Sequence, residues 1–140
     1  MKLLGPFLKN VDNLNNNSLC FRIDAGDASF LITGDGETVV EDALRENHDI
    51  DIDVLVAGHH GSSTSSRPKF VSAASPKVSV ISVGAENRYG HPTQKVLETL
   101  ESFGPVFRTD LHQTVSFFTD GATITCVTQS GEQLEIEERG

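Results

Sequence analysis

The chain has 140 residues and a formal charge of −9, enough length for one domain with a real core. No stretch is apolar enough to span a membrane, and Met1–Pro6 is too short for a secretory signal. The acidic excess, concentrated in Glu37–Asp53 and Glu132–Glu138, excludes an autonomous nucleic-acid binder that works through its own overall charge.

In chain order, Lys9 to Asn17 is rich in asparagine and reads as a loop. Ser18–Asp24 alternates apolar Leu19, Phe21 and Ile23 with Ser18, Cys20 and Arg22, which predicts a strand. Ala25-Gly26-Asp27 turns it back into a hairpin partner at Ser29–Thr33. Val39, Val40, Ala43 and Leu44 predict a helix over Glu37–Asn47. Ile52–Gly58 is a continuous apolar run, the pattern of a strand buried on both faces. A serine-rich loop, Gly61–Pro68, leads to a short helix at Lys69–Ala74 and a buried strand at Val78–Val83.

A polar loop, Gly84–Pro92, precedes a helix over Pro92–Phe103, with proline at an early position and Gly104 as a stop. The tail predicts three short strands as a meander, Val106–Thr109, Thr114–Thr119 and Ala122–Thr128, with an edge strand at Glu132–Glu137. Asp120-Gly121 is the hairpin signal between the last two of the three. Cys20 and Cys126 read as buried free thiols rather than as a disulfide or metal ligands. The sum is a mixed α/β sheet with helices packed on it, whose loops after Thr33, Ala57 and Val83 gather at one sheet end.

Those loops carry the chemistry. Asp35, between Gly34 and Gly36, projects either as a metal-bridging carboxylate or as a cap for the following helix. His59 and His60 lie between glycines in Gly58-His59-His60-Gly61-Ser62. On an extended segment they point to opposite faces, so one aims into a site and the other supports it or faces away. His59 is the preferred ligand, with His60 close behind. Ser62–Ser66 with Arg67 reads as either a phosphate-binding segment or a flexible polar loop. In Asn87-Arg88-Tyr89-Gly90-His91-Pro92, Arg88 suits a phosphate, Tyr89 can stack or donate, and His91 suits proton transfer or ligation. Ser62, Asn87, Arg88 and Tyr89 are the candidate substrate contacts; His91 and His60 are the candidate catalytic groups. Asn15-Asn16-Asn17-Ser18 serves the chain entry unless neighbouring loops form a site. His48 and His112 have no chemical context, and Arg108-Thr109-Asp110 reads as a local pair.

These pieces resemble the C-terminal metallo-β-lactamase-like domain of the ComEC family, the DNA-uptake channel of natural competence. The resemblance rests on Leu4-Gly5-Pro6, Asn16-Asn17-Ser18-Leu19, Phe30-Leu31-Ile32-Thr33-Gly34-Asp35 and Gly58-His59-His60-Gly61-Ser62. It continues through Ile81-Ser82-Val83-Gly84, Asn87-Arg88-Tyr89-Gly90-His91-Pro92 and Arg108-Thr109-Asp110, nearly the whole chain. It implies an αββα sandwich holding zinc or manganese, with Asp35 as bridging ligand and His59 or His60 as a late ligand. It also makes His91 a ligand or substrate contact. The implied reaction is attack of a metal-activated hydroxide on a phosphodiester, with DNA as substrate. The implied location is outside the cytoplasmic membrane, attached to a channel, with no membrane insertion by this chain itself.

The chain departs from the superfamily in one respect. The ligand cluster H-x-H-x-D-H occurs nowhere in the 140 residues. The expectation is therefore about the C-terminal half of the sandwich, inactive or weak alone, or a non-catalytic binding module that keeps the fold. One sheet face and an edge are expected to lie uncovered, open to an N-terminal half or to a second copy in a homodimer.

Overall fold

The computed structural model describes residues 1–6 and 12–137. Of the asparagine-rich loop, Lys9, Asn10 and Val11 lie outside the described residues, and Leu14–Asn17 forms a 3-10 turn. The alternating segment gives the antiparallel start of a sheet: β1 (Lys2–Gly5) pairs with β2 (Cys20–Ala25), and β2 with β3 (Ala28–Ile32). The apolar runs then add in parallel as β4 (Val54–Val56), β5 (Val78–Ile81) and β6 (Val106–Arg108). The order is sequential, β1-β2-β3-β4-β5-β6.

Three helices make the parallel crossovers: α1 (Thr38–Asn47), α2 (Pro68–Ala74) and α3 (Gln94–Glu101). A sheet that grows in one direction through crossovers of constant hand places all its connecting helices on one face. That face is filled by Leu31, Leu55 and Ile81 against Val40, Leu44, Phe70 and Leu100. Each such side chain contributes about 1.5–3 kcal/mol when fully buried.

Strands of a parallel sheet bury both faces. The second face presents Val54, Val78, Val80 and Phe107, which pack on Ile124, Cys126 and Ile136 of a three-stranded antiparallel sheet. Its strands are β7 (Val115–Thr119), β8 (Thr123–Thr128) and β9 (Gln133–Glu137). Phe30 and Phe117 meet edge to face across the layers, with ring centres 6.1 Å apart. The molecule is thus helices, mixed sheet and antiparallel sheet in three layers. Both cysteines are free and buried, and burial pushes both thiols up to about 11, so they stay protonated at neutral pH.

Three expectations are corrected. Val106–Thr109 is not the first meander strand: β6 pairs in parallel with β5, and Thr109–His112 forms a separate helical turn, α4. Three residues carry too little alternation to reveal which sheet they join. The sheet face expected to be bare is covered by β7–β9, so among the described residues unpaired strand sides are left at β1 and β6, the two ends of the sheet. Pro92 stands outside its helix: Thr93 is the N-cap, and the helix starts at Gln94.

One polar residue ties the middle of the mixed sheet together. Asp53 is fully buried at the entry to β4, where Oδ2 accepts the Ser29 N–H (2.9 Å) and the Ser29 hydroxyl (2.8 Å). Lys77, just before β5, reaches its Oδ1 at 3.2 Å. One carboxylate thereby links the lead-ins of three adjacent strands.

Candidate functional site

The carboxyl ends of β3, β4 and β5 deliver the candidate groups side by side. After β3, the turn at Gly34 carries Asp35, whose N–H donates to Ser18 Oγ at 3.0 Å. Glu37 N–H donates to Asn16 Oδ1 (3.1 Å), and Asn13 Nδ2 donates to Glu37 Oε2 (2.8 Å). The asparagine-rich entry thus holds the Asp35 turn in place. Asp35 does not cap α1; Glu37 occupies that position.

After β4, the two histidines depart from the expected extended segment. His59 (φ 48°) and His60 (φ 54°) both sit in the left-handed region within one tight turn, Gly58–Gly61. Such backbone costs of order 1–3 kcal/mol per residue and persists only where the surroundings impose it. Here His59 N–H donates to Gly34 O (2.9 Å), and Gly58 approaches Thr33 too closely for any Cβ. The left-handed pair therefore does not follow the strand rule of opposite faces.

His60 is the residue that faces Asp35, with Nε2 3.3 Å from Oδ1. Its Nδ1 lies 2.6 Å from the Ser82 carbonyl oxygen at the end of β5. A carbonyl only accepts, so Nδ1 carries a proton, and Nε2 is the ring nitrogen turned to Asp35. His59 turns to Glu37 Oε1 (3.5 Å) and Thr64 Oγ1 (3.2 Å).

His91 completes the group, its ring centre 5.9 Å from that of His59. Tyr89, 76% exposed, stacks on it at 5.9 Å. Asn87 holds this loop: Nδ2 donates to the carbonyls of Gly84 (2.9 Å) and His91 (2.8 Å), and Oδ1 accepts His91 N–H. Desolvation first, then His59 and His60, lower the His91 pKa, favouring the neutral ring. Its Nδ1 is buried without a hydrogen-bond partner among the described residues.

The structure therefore gathers Asp35, His59, His60 and His91, with Tyr89 at the rim. Ser62 is buried, and its hydroxyl is engaged with Thr64 inside its own loop. Arg88 is exposed and makes no ion pair among the described residues. Among the described residues, no group of three or more His, Cys, Asp or Glu side chains is arranged to hold a metal ion. A catalytic zinc site uses three protein ligands and an open position. The close pair Asp35 and His60 does not by itself close such a site.

Comparison with known proteins gives the chain its place. It is 38% identical over 117 residues to ComE operon protein 3 of Bacillus subtilis, covering 82% of this chain and 15% of the relative. It is 41% identical over 112 residues to Competence protein ComA of Neisseria gonorrhoeae, covering 78% of this chain and 16% of the relative. The chain belongs to the ComEC family. Recombination protein 2 of Haemophilus influenzae adds 37% identity over 89 residues, 64% of this chain and 11% of that protein. The ComEC-family chain thus spans about one sixth or less of the length of these relatives. No family model matches it.

In this ComEC-family chain, three contributors escape a reading of the sequence, two of them without any distinctive mark. Ser82 acts through its backbone carbonyl, which any residue supplies. Thr64 lies in a run of serines. Glu37 has the best signal, standing two residues beyond Asp35 in the same turn. Gly61 is decisive for the geometry: φ is +80°, and a Cβ there would lie 2.5 Å from Pro92 Cβ. Gly61→Ala is expected to lower the urea midpoint by an amount equivalent to about 1–3 kcal/mol, through overpacking and backbone strain. Chemical denaturation followed by circular dichroism measures it; an unchanged midpoint would show that the loop rearranges freely.

Proposed function

We propose that the chain serves DNA uptake as a metallo-β-lactamase-like domain of a ComEC-family protein, with Asp35 and His60 forming one side of a divalent-metal site, zinc or manganese. The supporting observation is the His60 ring. With Nδ1–H committed to the Ser82 carbonyl, Nε2 faces a carboxylate oxygen at 3.3 Å. Two acceptors at that distance repel unless a positive charge lies with them, a proton or a metal ion. His59 and His91 flank the pair, and Tyr89, Asn87, Arg88 and Ser62 belong to the loops that would meet a phosphodiester.

The competence names of the relatives support the setting, and DNA is the polyanion that setting offers. The remaining donors come from outside the described residues, so hydrolysis by this chain alone is absent or weak. The grouping of two close donors, with no third among the described residues arranged to join them, equally favours a second reading, a non-catalytic module that retains the fold.

Calorimetric titration with Zn2+ or Mn2+ tests the proposal. The expected result is weak binding near one equivalent, lost at least tenfold in Asp35→Ala, with no turnover of a phosphodiester substrate by the chain alone. Binding unaffected by Asp35→Ala would remove the metal reading, and absence of any metal binding would leave the non-catalytic module.

A further inference from the structure

The loop at residues 62–67 has a second face, away from the histidine it touches. Between that loop and α3 lies a cavity of about 120 Å³, with Ser63, Ser66, Arg67, Lys95, Val96 and Thr99 contributing to its wall. A single water needs about 10–15 Å³ of such space, and drug-sized ligands occupy about 300–1,000 Å³. The volume suits a small polyatomic ion or one substituent of a larger molecule.

The lining selects the sign of charge. Among the described residues no carboxylate lines the cavity, in a chain of net charge −9. Lys95 makes no ion pair among the described residues, and Arg67 stands at the wall with one guanidinium nitrogen 2.8 Å from Asp42. Ser66 is 2% exposed, has φ of +53°, and its hydroxyl has no hydrogen-bond partner among the described residues. That hydroxyl is closed off from the cavity, with almost no accessible surface, so Ser66 shapes the loop and is not a donor to a bound ion. The N–H groups of Ser66 and Arg67 are already taken by the Glu41 carboxylate. Recognition then falls on the exposed Ser63 hydroxyl, the Lys95 ammonium and the rest of the Arg67 guanidinium, donors suited to a tetrahedral oxyanion.

We propose that this cavity between the 62–67 loop and α3 binds one phosphate group, either free or carried on a nucleic-acid backbone. The site is separate from Asp35 and His60 in its residues and does not depend on a metal. It places a phosphate contact on the loop whose Thr64 also touches His59.

Amide chemical shifts of 15N-labelled protein, titrated with inorganic phosphate and separately with a four-residue oligothymidylate, test this against chloride at equal ionic strength. The expected result is saturable movement of the Ser63, Ser66, Arg67 and Lys95 amides with phosphate and none with chloride. Lys95→Ala, on an exposed helix position, should weaken binding at least fivefold, and Ser63→Ala at least threefold, with the rest of the spectrum unchanged. Tighter binding of the oligonucleotide assigns the phosphate to a backbone; binding of inorganic phosphate alone assigns it to the free ion. Shifts that do not saturate, that chloride reproduces, or that neither variant alters would overturn the proposal. Asp35→Ala should leave these shifts in place, so failure of the metal reading and failure of this one are told apart.

Discussion

Asp53→Ala is expected to destabilise the protein by about 3–5 kcal/mol, the cost of removing one partner from a buried, hydrogen-bonded charge pair. The carboxylate is fully buried, takes both donors of Ser29, and meets Lys77 at 3.2 Å. Alanine would leave the Ser29 N–H and hydroxyl without their acceptor and Lys77 without its counter-charge, at the point where β3, β4 and β5 begin. A whole domain has only about 5–15 kcal/mol in hand, so the variant should be close to unfolded at 37 °C. Asp53→Asn, which keeps an acceptor for Ser29 but not the charge for Lys77, should fall between the two. Equilibrium urea denaturation measures both; an alanine variant within 1 kcal/mol of the parent would refute the role assigned to Asp53.

The second large effect concerns pH. Glu41 lies on the inward face of α1, only 2% exposed, and burial raises its pKa from 4.5 to about 7 despite hydrogen bonds from Ser66 and Arg67 N–H. Between those values the native state holds a proton that the unfolded chain has released, so raising the pH favours unfolding. The contribution is complete below about pH 4.5 and is lost as pH rises through about 7, amounting to about 3 kcal/mol at ~1.4 kcal/mol per pH unit. Glu41→Gln should remove that slope and leave the variant relatively more stable above pH 7. Urea midpoints measured from pH 4.5 to 8 give the comparison; parallel profiles for parent and variant would dismiss the assignment.

Much of the architecture is readable from residue order because its signals are local. The alternation through Leu19, Phe21 and Ile23 yields β2, the Gly26 turn yields the hairpin, and the apolar run ending at Ala57 yields a strand buried on both faces. What the sequence hides is set by contact at a distance. Phe107 belongs to the mixed sheet because Val80 lies beside it, and nothing in a three-residue strand announces that pairing. The left-handed backbone at His59 and His60 is held by Gly34, Thr33 and Pro92 around the turn; histidine tolerates that region better than most residues but seldom adopts it, so residue type alone does not announce it. The site is legible to the same extent: Asp35, His59, His60 and His91 are recognisable by type and by their glycine-bounded loops. Which ring meets the carboxylate depends on the Ser82 carbonyl, which no residue type encodes.

The sequential parallel order of β3, β4 and β5 carries a consequence for assembly. Asp35, His60 and the Ser82 carbonyl each follow a different one of these strands, and a helical crossover separates each from the next. Hairpins such as β2–β3 close over a few residues, but parallel pairs must first close long loops, at a greater entropic cost. No partly formed sheet that lacks either the β3–β4 or the β4–β5 pairing can hold the imidazole between its carbonyl and its carboxylate. The His60 contacts to Asp35 and to the Ser82 carbonyl therefore report that β3, β4 and β5 have all paired, whatever the state of the sheet's two outer edges.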